Sequence, residues 1–387
     1  MSEALIITTA IAVLLFVGVV CSWIGKKLKI PDILLLILAG LLLGRVELNG
    51  EALIKFPEVF LSSLAILALA MVVFDSTTRL RLRDLDTFSL KAIRLTFIFS
   101  ALTLLLFSAT ASLILKIPFT TSLLFASIMI GTSPEAVLAF GGKSKALTML
   151  KLESIFNTPL TVILPFLILD LMQTENITTN LIEQLQPLIM KFIVGIGAGV
   201  FCAIILFKLV QKAYTEVYSP LAVIVAALLS YVLAENLGGS GVLSVTSLGL
   251  FFGNVYVKEK VALMSAEGVV AKALYILIFM LTGLIIRIPY TKEFLITSSI
   301  LFLTYISIRF ISVWISLHGE KYTISDLLYM SLNSPKGIAT AAVVFSLLVY
   351  AIDGMNIILD MTFAFILYSI IISSIASWIW RHHASSN

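Results

Sequence analysis

Runs of about twenty apolar residues recur along this chain from residue 5 to residue 380, and no polar domain separates them. A backbone in that setting must satisfy its own hydrogen bonds, so a stack of membrane-crossing helices is the fold such a chain can reach. Composition agrees: of 387 residues only 12% are charged and 60% are hydrophobic, against about a quarter charged in soluble domains. The pattern predicts thirteen spans, near 4–24, 31–44, 58–75, 92–115, 119–141, 147–172, 187–210, 218–236, 240–256, 269–286, 292–317, 324–350 and 357–380. The expected fold class is an all-α polytopic membrane protein, with residues 1–387 forming a single membrane domain and no soluble regulatory domain.

The cations sort by side. Lys26, Lys27, Lys29, Arg79, Arg81, Arg83, Lys91, Lys143, Lys145, Lys208, Lys212, Lys258, Lys260, Lys321 and Arg381 follow odd-numbered spans. Arg45, Lys55, Lys116, Arg287 and Lys292 follow even ones. The positive-inside rule then places the N-terminus outside and the C-terminus in the cytoplasm, with Trp378 and Trp380 as an inner interfacial anchor. The first span is followed by lysines and preceded by none, the reverse of a secretory leader, so it is read as retained. The net charge of +4 reports this orientation and not nucleic-acid binding. Cys21 and Cys202 lie in apolar runs and imply neither a disulfide framework nor a metal site.

Two spans carry an expensive interruption. "GTSPEAVLAF" (131–140) breaks the fifth, and "LNSPKGIATA" (332–341) breaks the twelfth with a lysine where the first has a glutamate. Serine favours the N-cap and proline the first helical position, so each dipeptide predicts a helix starting in mid-membrane: Ser133, Pro134, Glu135 and Ser334, Pro335, Lys336. With span seven as a linker, the two halves become inverted repeats of six, and both breaks fall on the fifth member. Ordinary proline kinks are the plainer reading of either span alone. The matched pair, and intramembrane charge, point to a site. Glu135 suits the positive end of a half-helix. Lys336 needs a carboxylate, carbonyls or the end of the other broken helix. Glu153 and Asn157 share one face of span six, as do Ser154 and Thr158. Arg309 lies in span eleven, and a buried guanidinium seeks a two-oxygen partner, so Glu153–Arg309 is the expected structural ion pair. His318, His382 and His383 offer no metal site.

These features resemble the monovalent cation:proton antiporter superfamily over most of the chain. "KIPDILLLILAGLLLG" (29–44), "FDSTTRLRLRDL" (74–85), "LLSYVLAENLGGSGVLSVTSLGLFFGN" (228–254), "IRFISVW" (308–314) and "NSPKGIATA" are similar to stretches of that family. The resemblance implies a core from the spans at 92–172 and 292–380, holding two crossing broken helices. A scaffold from the spans at 4–75 and 187–286 would form a homodimer in the lipid bilayer. It also implies exchange of Na⁺, Li⁺ or K⁺ for H⁺ without a cofactor, in the plasma membrane.

The chain departs from the pattern where the ion binds. The electroneutral branch typically carries aspartates at the places of Ser133 and Thr158. Hydroxyl and amide oxygens coordinate a hard cation but do not trade a proton for it near neutral pH. The reading therefore assigns Glu135 the proton/cation exchange and Lys336 charge compensation. Thr132, Ser133, Ser154, Asn157 and Thr158 complete the cation shell. The alternatives are a proton-uncoupled channel or uniporter, and a non-transporting sensor on the same fold.

Overall fold

The computed structural model describes residues 3–28, 32–48, 51–52, 56–78, 87–133, 137, 144–173, 181–212, 218–255, 260–285, 289, 291–347, 350 and 352–384. These are helical apart from turns and a two-residue hairpin, Glu47–Leu48 against Glu51–Ala52. Six described helices are long and apolar enough to cross a membrane, and six shorter apolar helices pack among them.

Every expected span has a helical counterpart. The first runs Glu3–Leu28 and the last Met355–Ala384, several residues longer than the apolar runs alone suggest. The fourth is built from Thr87–Leu102, a π-helical turn Thr103–Phe107, and Ser108–Leu115. Both interrupted spans are broken. In the fifth, Phe119–Ile128 ends and the chain runs irregularly through Ser133. In the twelfth, Ile324–Leu332 is separated from Ile338–Leu347 by five non-helical residues, 333–337.

Local chemistry explains the boundaries. Thr323 and Asp326 form a reciprocal capping box that starts Ile324–Leu332. In "ENLGGSG", Gly238 takes φ +72°, and Ser240 caps the next helix by accepting from the Leu243 N–H. The Glu235 carboxylate accepts from the Gly241 N–H at 2.7 Å, which closes this turn between antiparallel helices.

Lys145–Gln173 packs against Thr87–Leu102 and Phe119–Ile128, and Lys292–Ser316 packs against Thr87–Leu102 and Ile324–Leu332. A second set joins Asp32–Gly44 to Lys260–Ile285, and Glu58–Thr78 to Gly241–Asn254. Glu58–Thr78 also lies against Ile338–Leu347 and Lys145–Gln173, so it runs along the broken-helix region. Contact in the second set is backbone to backbone: a Cβ on Gly40 would fall 2.1 Å from the Met280 carbonyl oxygen. Close approach through small residues is how helices associate where lipid removes the hydrophobic drive.

Candidate functional site: two broken helices cross around a buried lysine

Both breaks meet. The Ser133 N–H donates to the Pro335 carbonyl at 2.7 Å, tying one unwound segment to the other. The approach depends on Gly337, where an added Cβ would lie 2.6 Å from the Ser133 Cβ. Non-helical backbone at membrane depth survives only when protein satisfies it, and here each segment serves the other. The Lys336 N–H is taken by the Ser369 hydroxyl at 2.9 Å, from the last helix.

The second half-helix starts later than its sequence suggests. Ser334 does not cap it: residues 333–337 stay non-helical, and the Ala341 N–H reaches back to the Gly337 carbonyl. The Ser334 hydroxyl turns sideways instead, 3.0 Å from Thr132 Oγ1 and 2.9 Å from Tyr305 Oη. At the first break, the Val137 N–H bonds to the Ser133 carbonyl at 3.1 Å, the bond expected of a helix-capping residue. Glu135 lies outside the described residues.

Lys336 is fully buried, and its ammonium makes three bonds to described residues. It donates to the Met129 carbonyl, to the Gly131 carbonyl at 2.8 Å and to Tyr305 Oη at 2.5 Å. The two carbonyls lie just past the C-terminal end of the half-helix Phe119–Ile128, where partial negative charge gathers. Its partner is thus the end of the other broken helix. The ammonium also sits 4.4 Å from the centre of the Tyr305 ring.

Glu153 and Arg309 form the ion pair. Arg309 Nη1 donates to Glu153 Oε1 at 2.7 Å and Nη2 to Oε2 at 2.5 Å, with both side chains fully buried. The guanidinium stacks 4.5 Å from the centre of the Phe99 ring. This two-point pairing occupies Glu153 and sets the direction of Asn157. The Asn157 amide donates to Glu153 Oε1 at 3.0 Å, and a carboxylate can only accept. The amide oxygen therefore faces the break, where it receives the Thr132 N–H at 3.3 Å. Arg309 orients Glu153, Glu153 orients Asn157, and Asn157 presents an oxygen to the crossing.

Thr158 and Ser154 behave differently. Thr158 Oγ1 donates to the Ser154 carbonyl at 2.7 Å and Ser154 Oγ to the Lys151 carbonyl at 2.8 Å. Each hydroxyl proton is turned back on its own helix, leaving oxygen lone pairs. No hydrogen bond among the described residues ties either to the crossing. The structure thus brings together Thr132, Ser133, Asn157 and Lys336, with Glu153 and Arg309 one step behind.

Tyr305 is the member the sequence reading missed. It lies one helical turn before Arg309, so the two share a face, and that spacing was the available signal. It is fully buried, and its ring packs on Phe99, Phe107, Phe302 and Phe365.

Comparison with known proteins fits this geometry. Residues 11–382 match the family described as sodium/hydrogen exchanger, transmembrane. The chain belongs to that family. It is a transporter of the cation/proton antiporter class and not an enzyme. It is 31% identical to the Na⁺/H⁺ antiporter NhaH of Halobacillus aidingensis, over 72% of this chain and 73% of that one. It is 25% identical to the K⁺/H⁺ antiporter NhaP2 of Shewanella baltica, over 93% of this chain and 64% of that one. Its fold matches the sodium proton antiporter MjNhaP1 of Methanocaldococcus jannaschii at TM-score 0.80 and 24% identity, covering 96% of this chain and all of the other. In this exchanger-family chain the two interruptions and the buried lysine meet at one crossing.

Proposed function

We propose that this protein exchanges a monovalent cation, Na⁺ or K⁺, for H⁺ by alternating access at the crossing of its two broken helices. The observation that carries the reading is the crossing itself: an Asn157 oxygen held toward Thr132, beside a buried ammonium neutralised by the end of the other half-helix. Glu135 is the group that holds either a proton or the cation. Oxygens of Thr132, Ser133, Ser154, Asn157 and Thr158 complete the shell, Lys336 compensates charge, and no cofactor takes part. Relatives named for Na⁺ and for K⁺ support a monovalent cation of either kind.

The moving part comprises the spans at 92–172 and 292–380, and the scaffold comprises those at 4–75 and 187–286. The scaffold joins two copies in the lipid bilayer of the plasma membrane. The arrangement of cations supports an outer N-terminus and a cytoplasmic C-terminus. The commitment of Glu153 to Arg309 favours a second reading, cation permeation without H⁺, because it removes that carboxylate from the exchange. Vesicles carrying the purified protein, an internal pH dye and a cation gradient separate the two. Antiport gives cation flux with an opposite proton flux; permeation gives cation flux with no pH change beyond that of a leak.

A further inference from the structure

Lys336, Tyr305, Ser334 and Thr132 form one unbranched line of hydrogen bonds, at 2.5, 2.9 and 3.0 Å. All four side chains are buried. The chemistry of the ends fixes its direction. An ammonium only donates, so Tyr305 Oη accepts from Lys336 and its own proton goes to Ser334. The Ser334 proton then goes to Thr132 Oγ1. Ser334 is the hydrogen-bond partner of that oxygen among the described residues. With the lysine charged, the Thr132 hydroxyl therefore points its own proton away from the line, toward the proposed cation position.

The lysine's other two partners are carbonyl oxygens, which can only accept. Among the described residues, Tyr305 is the one partner able to give or receive. A neutral amine has two protons and one lone pair, which fit two carbonyls and a donating tyrosine with no atom displaced. The same cage thus accommodates both states of the lysine, and the difference between them is the direction of three hydroxyls. Among the described residues, the titratable groups that act on Lys336 are Tyr305, Arg309 and Glu153, and the last two are paired with each other. Glu135 lies outside the described residues.

We propose that Tyr305 and Ser334 are an unbranched hydroxyl relay, through which the state of Lys336 decides whether Thr132 offers the cation a proton or a lone pair. In the step, Lys336 passes a proton to Tyr305 Oη and Tyr305 passes its own to Ser334 Oγ. Ser334 passes its proton to Thr132 Oγ1, and Thr132 releases its former proton to a water molecule entering the site. One N–H and three O–H bonds break, three O–H bonds form along the line, and the fourth forms on the water, which becomes hydronium. The hydroxyls end reversed, each donating back toward the lysine, and Thr132 Oγ1 has a lone pair directed at the cation. The proton leaves where the cation arrives, in addition to any that Glu135 releases. Tyr305 and Ser334 are positioning residues here. The inference rests on the antiport reading and adds a second source of protons to it.

The test counts protons released per Na⁺ bound by the purified full chain, using a pH-indicating dye and Na⁺ titration. Tyr305→Phe keeps the ring on Phe99, Phe107, Phe302 and Phe365, and removes the hydroxyl alone. Ser334→Ala cuts the next link and leaves the Tyr305–Lys336 contact. Each variant is expected to release one proton fewer per cation than the parent, and the double variant no fewer than either single. The dependence of log Na⁺ affinity on pH should flatten by about one unit of slope, as proton linkage requires. If the parent releases protons and both variants release as many, the relay is overturned while antiport stands. If the parent itself releases none in either a Na⁺ or a K⁺ titration, the antiport reading fails and the relay with it.

Discussion

Replacing Glu153 by leucine removes one side of an ion pair that is wholly shielded from water. The surviving Arg309 guanidinium keeps its charge in a site with no other anion among its described partners, since its remaining contact is the face of Phe99. Breaking a buried pair on one side costs about 3–5 kcal/mol. The same substitution strips the acceptor from the Asn157 amide, which adds about 1–3 kcal/mol for an unsatisfied buried donor. Arg309→Leu strands the carboxylate instead, again at about 3–5 kcal/mol. Removing both leaves no stranded charge. Buried pairs exchanged for apolar side chains are often neutral or better, so the double variant retains mainly the Asn157 penalty of about 1–3 kcal/mol. Melting of the detergent-purified variants reads the order directly: the double variant should melt above both singles. A double variant that melts below both singles, with additive losses, would refute the account of this pair. Cation affinity should stay reduced in the double variant even where stability returns, because nothing then turns the Asn157 oxygen toward Thr132.

Gly337→Ala forces a Cβ to within 2.6 Å of the Ser133 Cβ; cation flux in vesicles should be lost, with a stability cost of about 1–3 kcal/mol. Thr158→Asp adds a carboxylate where this chain has a hydroxyl, and should raise the number of protons moved per cation by one, read as dye response per tracer cation. Among the second set of helices, Asp32 receives Lys272 at 2.6 Å, Tyr275 at 2.7 Å and Ser22 at 3.3 Å. Lys272→Ala removes a half-exposed cation and should shift stability by less than about 1 kcal/mol. Asp32→Ala breaks all three contacts and should melt at a lower temperature than Lys272→Ala.

The helices were legible because each had to hide its own backbone from lipid, and an apolar run of about twenty residues records that need. Both Ser-Pro breaks were legible for the same reason: polar residues and proline at mid-depth are too costly to be incidental. The Glu153–Arg309 pair was readable from charge alone, since a buried guanidinium requires a two-oxygen partner. What Ser334 does was not readable. Its capping propensity is a local property, whereas its hydroxyl is claimed by Tyr305 and Thr132 from two other elements. Tyr305 escaped notice because a tyrosine in an apolar span looks like packing, and its ring does sit among phenylalanines. Its hydroxyl matters only once the fold brings Lys336 beside it. The choice of the Met129 and Gly131 carbonyls as partners for Lys336 was open in the sequence among several acceptors, and the crossing geometry makes it.

The central claim is that an acid beside the crossing trades a cation for hydrogen ions. The most direct measurement follows tracer Na⁺ and internal pH in the same vesicles, for the parent chain and for Glu135→Gln at matched protein content. The account predicts linked, opposite movements in the parent and the loss of both in the variant. Undiminished linked exchange by Glu135→Gln would contradict it.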